Sequence, residues 1–449
     1  MRHGLWAAAS LALLVGSPAS AHAEAQLLKG PYLQELSSTG VALRVELSAP
    51  APASADVRAE GGKPITATSP AAAFHSIVLT GLTPGTHYEY VVHVGVGTMK
   101  KGTFTTAPPD ASHDPVTFLA YGDNRTDGAA HERVVHAMER ERSDFLIHTG
   151  DFVDAGGGDA YWQSFFDIEG PLLAGRCLFA AVGNHELASD REAVHFERYF
   201  GPTQPAGAPP SEPSRLYRTF RWGRVRFFML NAFQDWSTGG ERAWLDRELT
   251  RADTEADLDW RIAVVHHSPY SSGPHGDNTA LLRAHIDDTL RDHHVDLVIA
   301  GHDHIYERGD ARGLRYVITG GGGAPLYTDL TPGKSTRKAE SSFNYVVTTL
   351  TGDSLGIVAK RPDGTLVDQC SLRHTGTWLC DTAAPPAIVP APAAPSEPEP
   401  KPRSGCSCRV TPGVDASGGA AVLALALVSL TRRARKPTRR PVRGYESNA

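Results

Sequence analysis

Apolar and polar residues alternate over short runs in the N-terminal part of the chain. The run Val-Ala-Leu-Arg-Val-Glu-Leu at 41–47 is one such stretch, and Pro and Gly separate it from its neighbours. Alternation with a period of two is typical of strands that have one buried face. Residues 24–108 are therefore predicted to form a small antiparallel β-sandwich, which ends in a Pro-Pro linker.

Continuous apolar runs replace this alternation from residue 115 onward. Such runs are typical of strands that are buried on both faces. Amphipathic helices are predicted between them, at 131–142, 241–251 and 278–292. The pattern predicts an α/β domain over residues 113–373, in which helices flank mixed sheets. Strands at 343–358 and 364–372 are expected to pair and close this domain.

The first residues have the order of features found in secretory signal peptides. Arg2 and His3 precede an apolar stretch, and small residues offer a cleavage site before Glu24. We predict a signal peptide at 1–23 and export to a compartment that permits disulfides.

The C-terminal residues have a different composition. Residues 384–404 are rich in Pro, Ala and Glu, which predicts a stiff, solvated linker. Residues 405–437 contain a Cys-Ser-Cys motif, a short apolar run and a basic cluster. This order resembles the myxobacterial C-terminal sorting tags, and a simple membrane anchor is the alternative. Both predict an exported protein at the cell surface or outer envelope, whose last segment lies in a membrane or is processed by a sorting protease.

The composition favours a soluble globular protein, with a formal net charge of −6 and 41% hydrophobic residues. It indicates neither a nucleic-acid binder nor a disordered chain. Of the five cysteines, Cys370 and Cys380 enclose a loop that a disulfide could close, and Cys177 is predicted to be a buried free thiol. No pair has zinc-site spacing with partner histidines, so the cysteines are not expected to bind metal.

Acidic, amide and imidazole side chains follow the predicted strands at five points. These are Asp123, Asp151, Asn184 with His185, His266 with His267, and His302 with His304. We expect them to converge, because ligands of open α/β sheets bind beyond the carboxyl ends of the strands. Oxygen and nitrogen donors without thiolates suit Zn, Mn or Fe. Two such ions about 3.5–4 Å apart can clamp a phosphoryl group.

The motif series GD, GD, GNHE, HHSP and GHDHIYER resembles the calcineurin-like metallophosphoesterases, in particular their purple acid phosphatase branch. The resemblance covers residues 25–373. It implies an α/β metallophosphoesterase sandwich preceded by an all-β domain. The segment 79–94 is similar to fibronectin type III domains, in which a Gly-Leu-x-Pro-Gly turn precedes a tyrosine-bearing strand. The resemblance to the metallophosphoesterases also implies two metal ions, which would be Fe, Zn or Mn.

The resemblance implies metal ligands at the motif positions. The first ion would be bound by Asp123 and His304, and Asp151 would bridge both ions. The second ion would be bound by Asn184, His267 and His302.

Other histidines receive different interpretations. The resemblance implies that His185 acts as a general acid or holds the phosphate, and that His275 is a substrate-loop histidine. His266 is expected to point away from the metals, because it alternates with His267. His131 lies on a predicted helix and is expected at the surface.

Two residues depart from the family pattern. Asp154 stands where the purple enzymes have a tyrosine, so the protein is not expected to be purple. Arg125 stands where many relatives have a histidine ligand, and it is expected to bind substrate phosphate instead.

Together these features predict a binuclear-metal phosphoesterase that hydrolyses phosphate monoesters by attack of a metal-bound hydroxide. The expected partner is a small phosphorylated substrate rather than a nucleic acid. A phosphodiesterase or nucleotidase on the same core is one alternative, and a catalytically weak surface binding protein is another.

Overall fold

The computed structural model describes residues 25–95, 97–203, 216–374 and 376–380. These residues belong to one unit of the chain, residues 1–387. The predicted signal peptide at 1–23, linker at 384–404 and C-terminal segment at 405–437 lie outside the described residues.

Antiparallel strands form the N-terminal part, as the alternating pattern predicts. They join into one five-stranded sheet, and the predicted sandwich stays a prediction. Its strands are β1 (Leu27–Gln34), β2 (Gly40–Ala59), β3 (Ile65–Thr80), β4 (His87–Val94) and β5 (Thr98–Thr105). Its longest strand, β2, pairs with β1, β3 and β4. The register between β2 and β3 shifts twice between Glu46 and Ala53. Such bulges bend a strand, and the two halves of β2 accordingly pair with different neighbours, β1 and β4.

The α/β domain contains two seven-stranded mixed sheets. The first is made of β6 (Val116–Tyr121), β7 (Phe145–His148), β8 (Leu178–Ala180), β16 (Tyr345–Thr351), β17 (Ser354–Lys360), β18 (Leu366–Arg373) and β19 (Leu379–Cys380). The second is made of β9 (Arg218–Trp222), β10 (Val225–Leu230), β11 (Trp260–His267), β12 (Leu297–Gly301), β13 (Tyr306–Ala311), β14 (Leu314–Thr319) and β15 (Thr336–Glu340). The parallel strands β6, β7 and β8 lie in the first sheet, and β10, β11, β12 and β14 in the second.

The main core lies between the two sheets. Phe118 and Phe145 of the first sheet pack there with Phe227 and Ile262 of the second. The outer faces are covered by helices, which are α1 (Gly128–Glu139), α2 (Asp159–Leu173), α3 (Val194–Phe200), α4 (Gly240–Asp253), α5 (Thr279–Arg283) and α6 (Ile286–Asp292). Strands buried on both faces need apolar residues at every position, which explains the continuous apolar runs.

Three local predictions were wrong. The helix predicted at 278–292 is divided into α5 and α6, because His285 between them has a left-handed backbone with φ of 54°. The strand predicted at 343–358 is a hairpin that turns at Gly352, which has a positive φ. His131 is buried rather than at the surface, and its Nε2 lies 2.8 Å from Glu169 of α2.

The N-terminal sheet is joined to the α/β domain by buried polar contacts. Arg44 of β2 is buried and donates to the carbonyl oxygens of Tyr199 at 2.7 Å and Gly201 at 2.6 Å. Tyr90 of β4 donates to the carbonyl oxygen of Ala174 at 2.7 Å. A buried guanidinium without these hydrogen-bond partners would raise the free energy of the folded state. The N-terminal sheet and the α/β domain are therefore expected to move together.

The cysteines of the described residues behave as the sequence suggested. Cys370 and Cys380 form a disulfide, and Cys177 is a buried free thiol. Within the same residues, none of the helices is both long and apolar enough to cross a bilayer.

Candidate metal centre

The predicted side chains converge at one edge of the two sheets. Asp123, Asp151 and Asn184 follow β6, β7 and β8 of the first sheet, while His266 lies at the end of β11 and His302 follows β12 of the second. The carboxyl ends of these parallel strands therefore face one crevice, as expected for an open α/β sheet.

Backbone strain accompanies this convergence. Asp123, Asp151 and His302 have left-handed φ values of 57°, 60° and 72°. Such values are uncommon for residues other than glycine and often occur at functional sites. A Cβ at Gly301 would lie 2.3 Å from Asp123 Oδ2, so the loops of the two sheets approach this closely only because residue 301 is glycine.

The tightest cluster consists of Asp151, His266 and His302. Each offers one ligand atom, and the three atoms lie within 4.8 Å of one another. His266 Nε2 is 3.1 Å from Asn184 Oδ1, 3.1 Å from His302 Nδ1 and 3.4 Å from Asp151 Oδ1. Three predicted residues therefore meet here around a histidine that the sequence interpretation had excluded.

The structure corrects the prediction that His267, and not His266, faces the metal centre. His267 directs its Nε2 to the carbonyl oxygen of Gly276, 3.1 Å away, whereas His266 is fully buried within the cluster. His266 has the same parity along β11 as Ile262 and Val264, which pack between the two sheets. Because side chains alternate along a strand, His266 continues this inward row and is the better candidate ligand.

The ligands predicted for the first ion also lie together. His302 N donates to both carboxylate oxygens of Asp123, at 3.1 and 2.9 Å. His304 Nε2 is 3.8 Å from Asp123 Oδ1, and its Nδ1 donates to the carbonyl oxygen of Pro325 at 2.7 Å. This hydrogen bond leaves Nε2 as the ring nitrogen of His304 that can bind a cation.

Arg125 reaches the same place from the β6 loop. Its Nε donates to Asp151 Oδ2 at 3.3 Å, and its Nη2 lies 3.3 Å from His304 Nε2. The guanidinium thus contacts the predicted bridging residue and a predicted ligand of the first ion. Any cation bound by these two atoms competes with Arg125.

His185 lies beside the cluster and does not join it as a ligand. Its backbone N–H donates to Asp151 Oδ1 at 3.0 Å, and its Nδ1 donates to the carbonyl oxygen of Asp154 at 2.7 Å. Nε2 remains 3.9 Å from Asp151 Oδ2. The carboxylate of Asp154 accepts from Thr126 Oγ1 at 2.5 Å and does not enter the ligand set.

His275 stands at the mouth of the site. Its ring centroid is 4.2 Å from that of His302, and 41% of its side chain is exposed. The role of a substrate-loop histidine stays a prediction.

The charges of the centre favour a bound cation. Burial raises the pKa of Asp123 well above its ordinary value. Burial disfavours the charged form of His266, but the carboxylates of Asp151 and Asp123 outweigh this effect and raise its pKa to about 9. Burial opposes ionisation of Asp151 as well, yet His266 and His185 lower its pKa overall. Two buried carboxylates beside imidazoles, with no thiolate, fit Zn, Mn or Fe.

The comparisons with known proteins agree with this chemistry. Residues 116–306 match the family model described as calcineurin-like phosphoesterase. This segment is similar to calcineurin-like phosphoesterases. Together with the relatives, it supports a metal-dependent, phosphatase-type hydrolase. Purple acid phosphatase-like metallophosphoesterases use two metal ions, Fe, Zn or Mn.

The proteins that this chain resembles include plant purple acid phosphatases. Purple acid phosphatase 23 of Arabidopsis thaliana is 28% identical over 60% of this chain and 64% of its own length. Probable purple acid phosphatase 20 of the same plant is 28% identical over 60% of this chain and 66% of its own length. The match thus spans less than two thirds of either relative.

A solved structure supports the fold. The purple acid phosphatase from yellow lupin (Lupinus luteus) seeds has a TM-score of 0.65 and 19% identity, covering 76% of this chain and 74% of that one.

The sequence interpretation missed residues that support the candidate site. The buried carboxylate of Glu186 accepts backbone N–H bonds from Asp151, Phe152 and Gly183, each at 2.8 Å, and so holds two ligand loops together. Its place in the GNHE motif was the available signal. Tyr327 stacks on His304 with 4.3 Å between ring centroids. No local pattern marks Tyr327, because it belongs to an irregular loop.

Proposed function

We propose that this protein is a binuclear-metal phosphatase that hydrolyses phosphate monoesters. The observation that carries the proposal is the convergence of Asp151, His266 and His302 within 4.8 Å at the carboxyl ends of the strands. Asp123, His304 and Asp151 would hold one ion, and Asp151, Asn184, His266 and His302 the other. When bound, such ions activate water near neutral pH and neutralise the phosphoryl oxygens.

His185 is the proposed general acid. Because Nδ1 donates to the Asp154 carbonyl oxygen, the proton available for the leaving-group oxygen is the one on Nε2. Arg125 would leave Asp151 and His304 to hold a phosphate oxygen, a role suited to its planar guanidinium. His275 at the mouth of the site would contact the ester from the side of the solvent.

A hydrolysis screen on the purified, metal-analysed protein tests the monoesterase proposal. We expect phosphate monoesters to be cleaved faster than diesters and nucleotides. Faster cleavage of diesters would favour the phosphodiesterase alternative. Less than one ion per chain and no cleavage of any of these esters would favour the alternative of a catalytically weak surface binding protein. The contacts of Arg125 with Asp151 and His304 also support that alternative.

The variant His185→Ala tests the acid role. We expect both ions to be retained and turnover of alkyl phosphates to fall about 10²–10⁴-fold, the usual contribution of a positioned acid. Nitrophenyl phosphate should lose much less, because its leaving group departs without a proton. The exposed His136→Ala, on α1, is the matched control. An equal loss for both ester types would contradict the assignment.

We also propose that the N-terminal sheet at 24–108 is a fibronectin type III-like domain. Tyr88 Oη accepts a hydrogen bond from Thr83 N at 2.9 Å, which resembles the tyrosine corner of such sandwiches.

Export and attachment to the cell surface remain proposals from the terminal sequences. The Cys370–Cys380 disulfide supports export, because disulfides persist in oxidising compartments. Cell fractionation with antibody detection tests this location.

A further inference from the structure

Asp303 lies between the candidate ligands His302 and His304, but its side chain serves another loop. The residue is 1% exposed. Its Oδ1 accepts from His275 Nδ1 at 2.9 Å and from His275 N at 3.2 Å, and its Oδ2 accepts from Ser271 Oγ at 2.5 Å. A buried carboxylate needs such partners, and all three of these come from the loop that carries His275.

The loop at 271–276 packs directly on this carboxylate. A Cβ at Gly273 would lie 2.3 Å from Asp303 Cγ, so only glycine allows the approach. A second buried carboxylate, that of Glu307, accepts from Ser272 N at 2.7 Å and Ser272 Oγ at 2.6 Å. Asp303 and Glu307 therefore bind the loop at the adjacent residues Ser271 and Ser272.

The contact with Asp303 also determines which atom His275 presents. Because Nδ1 donates to the carboxylate, Nε2 is the ring nitrogen left to meet a ligand. The ring lies against that of His302, with 4.2 Å between centroids, while 41% of the side chain is exposed. His275 therefore lies at the border between the metal centre and solvent.

We propose that Asp303 is a positioning residue, which orients His275 so that its Nε2 contacts the phosphate group of the substrate and of the inorganic phosphate product. This inference rests on the proposed phosphatase function, since it assigns a binding role within the same site. It requires that Asp303 act through His275, and not through its metal-binding neighbours.

A double-mutant cycle on the full chain tests this dependence. The variants are Asp303→Ala, His275→Ala and the double variant, and the readouts are metal content, KM, kcat and calorimetric binding of inorganic phosphate. We expect each single variant to weaken phosphate binding about 10–100-fold, a typical effect of losing a supporting interaction. The double variant should be no worse than His275→Ala, because coupled residues are not additive.

Two further variants separate positioning from general loss of structure. Asp303→Asn retains an oxygen that can accept from His275, so most of the phosphate affinity should return. Gly273→Ala keeps every polar group but forces the loop off Asp303, so it should weaken phosphate binding as Asp303→Ala does. Loss of metal in Asp303→Ala, additive losses in the double variant, or normal phosphate binding in Gly273→Ala would each overturn the inference.

The outcome can be distinguished from failure of the proposed function. If the unmodified protein hydrolyses no ester, the phosphatase proposal fails, yet calorimetry with inorganic phosphate still reports whether Asp303 and His275 act together. If the protein is an active phosphatase and its phosphate affinity does not change in Asp303→Ala, only the inference about Asp303 fails.

Discussion

Replacing Arg125 with glutamine measures how strongly this side chain competes with a metal ion. The guanidinium contacts Asp151 Oδ2 and His304 Nε2, each at 3.3 Å, and its side chain is only 15% exposed. A cation bound through the same two atoms must displace both contacts. Glutamine is shorter and neutral, so it removes the competing charge while leaving a polar side chain in the loop.

The size of the effect follows from these two contacts. A hydrogen bond contributes a net free energy of about 1 kcal/mol, and more when one partner is charged. The charged guanidinium donates in both contacts, but both are long for hydrogen bonds, so we take about 1 kcal/mol for each and about 2 kcal/mol for the pair. At 1.36 kcal/mol for each tenfold change, the more weakly bound ion should bind about 30-fold more tightly in Arg125→Gln.

Calorimetric titration of the metal-free full chain with Zn²⁺ or Mn²⁺ gives both dissociation constants. The matched control is Arg373→Gln, because Arg373 is 67% exposed and pairs with Asp353 far from the centre in sequence. It should leave both constants unchanged. Unchanged or weaker binding of the second ion added to Arg125→Gln would refute the competition, and would mean that Arg125 supports the ligands instead.

Two other predictions concern the identity of the ligands and the colour of the protein. His266→Ala should lose at least one ion per chain in metal analysis, whereas His267→Ala should keep both; the reverse result would restore the interpretation drawn from the sequence. Protein loaded with ferric iron should show no visible charge-transfer band, because Asp154 replaces the phenolate and Tyr121 donates to Glu169 instead. A strong band would contradict this, and its loss in Tyr327→Phe would identify the phenolate responsible.

Much of the fold could be predicted from the sequence because periodicity reports local burial. Alternation at 41–47 identified a strand with one buried face, and the continuous runs before Asp123 and Asp151 identified strands covered on both faces. Since the carboxyl ends of parallel strands share one edge, the position of each motif was enough to predict a common crevice.

Residues whose environment comes from distant segments could not be assigned in this way. His131 is buried, and Glu169 of another helix accepts its hydrogen bond. Asp303 lies between two histidines of one motif, yet its side chain contacts a loop that precedes it by 28 residues. Neither partner can be deduced from local pattern, because each contact depends on how separate elements pack.

The adjacent histidines of β11 show most clearly what each level determined. The sequence by itself predicted that one of the two histidines at the end of this strand is a metal ligand. Which of the two faces the metal centre was decided by the tertiary structure, because the row of Ile262 and Val264 packs between the sheets and turns His266 inward. A shift of one residue along a strand places the side chain on the opposite face of the sheet. Only the packing of the two sheets determines which face is directed to the candidate ligands.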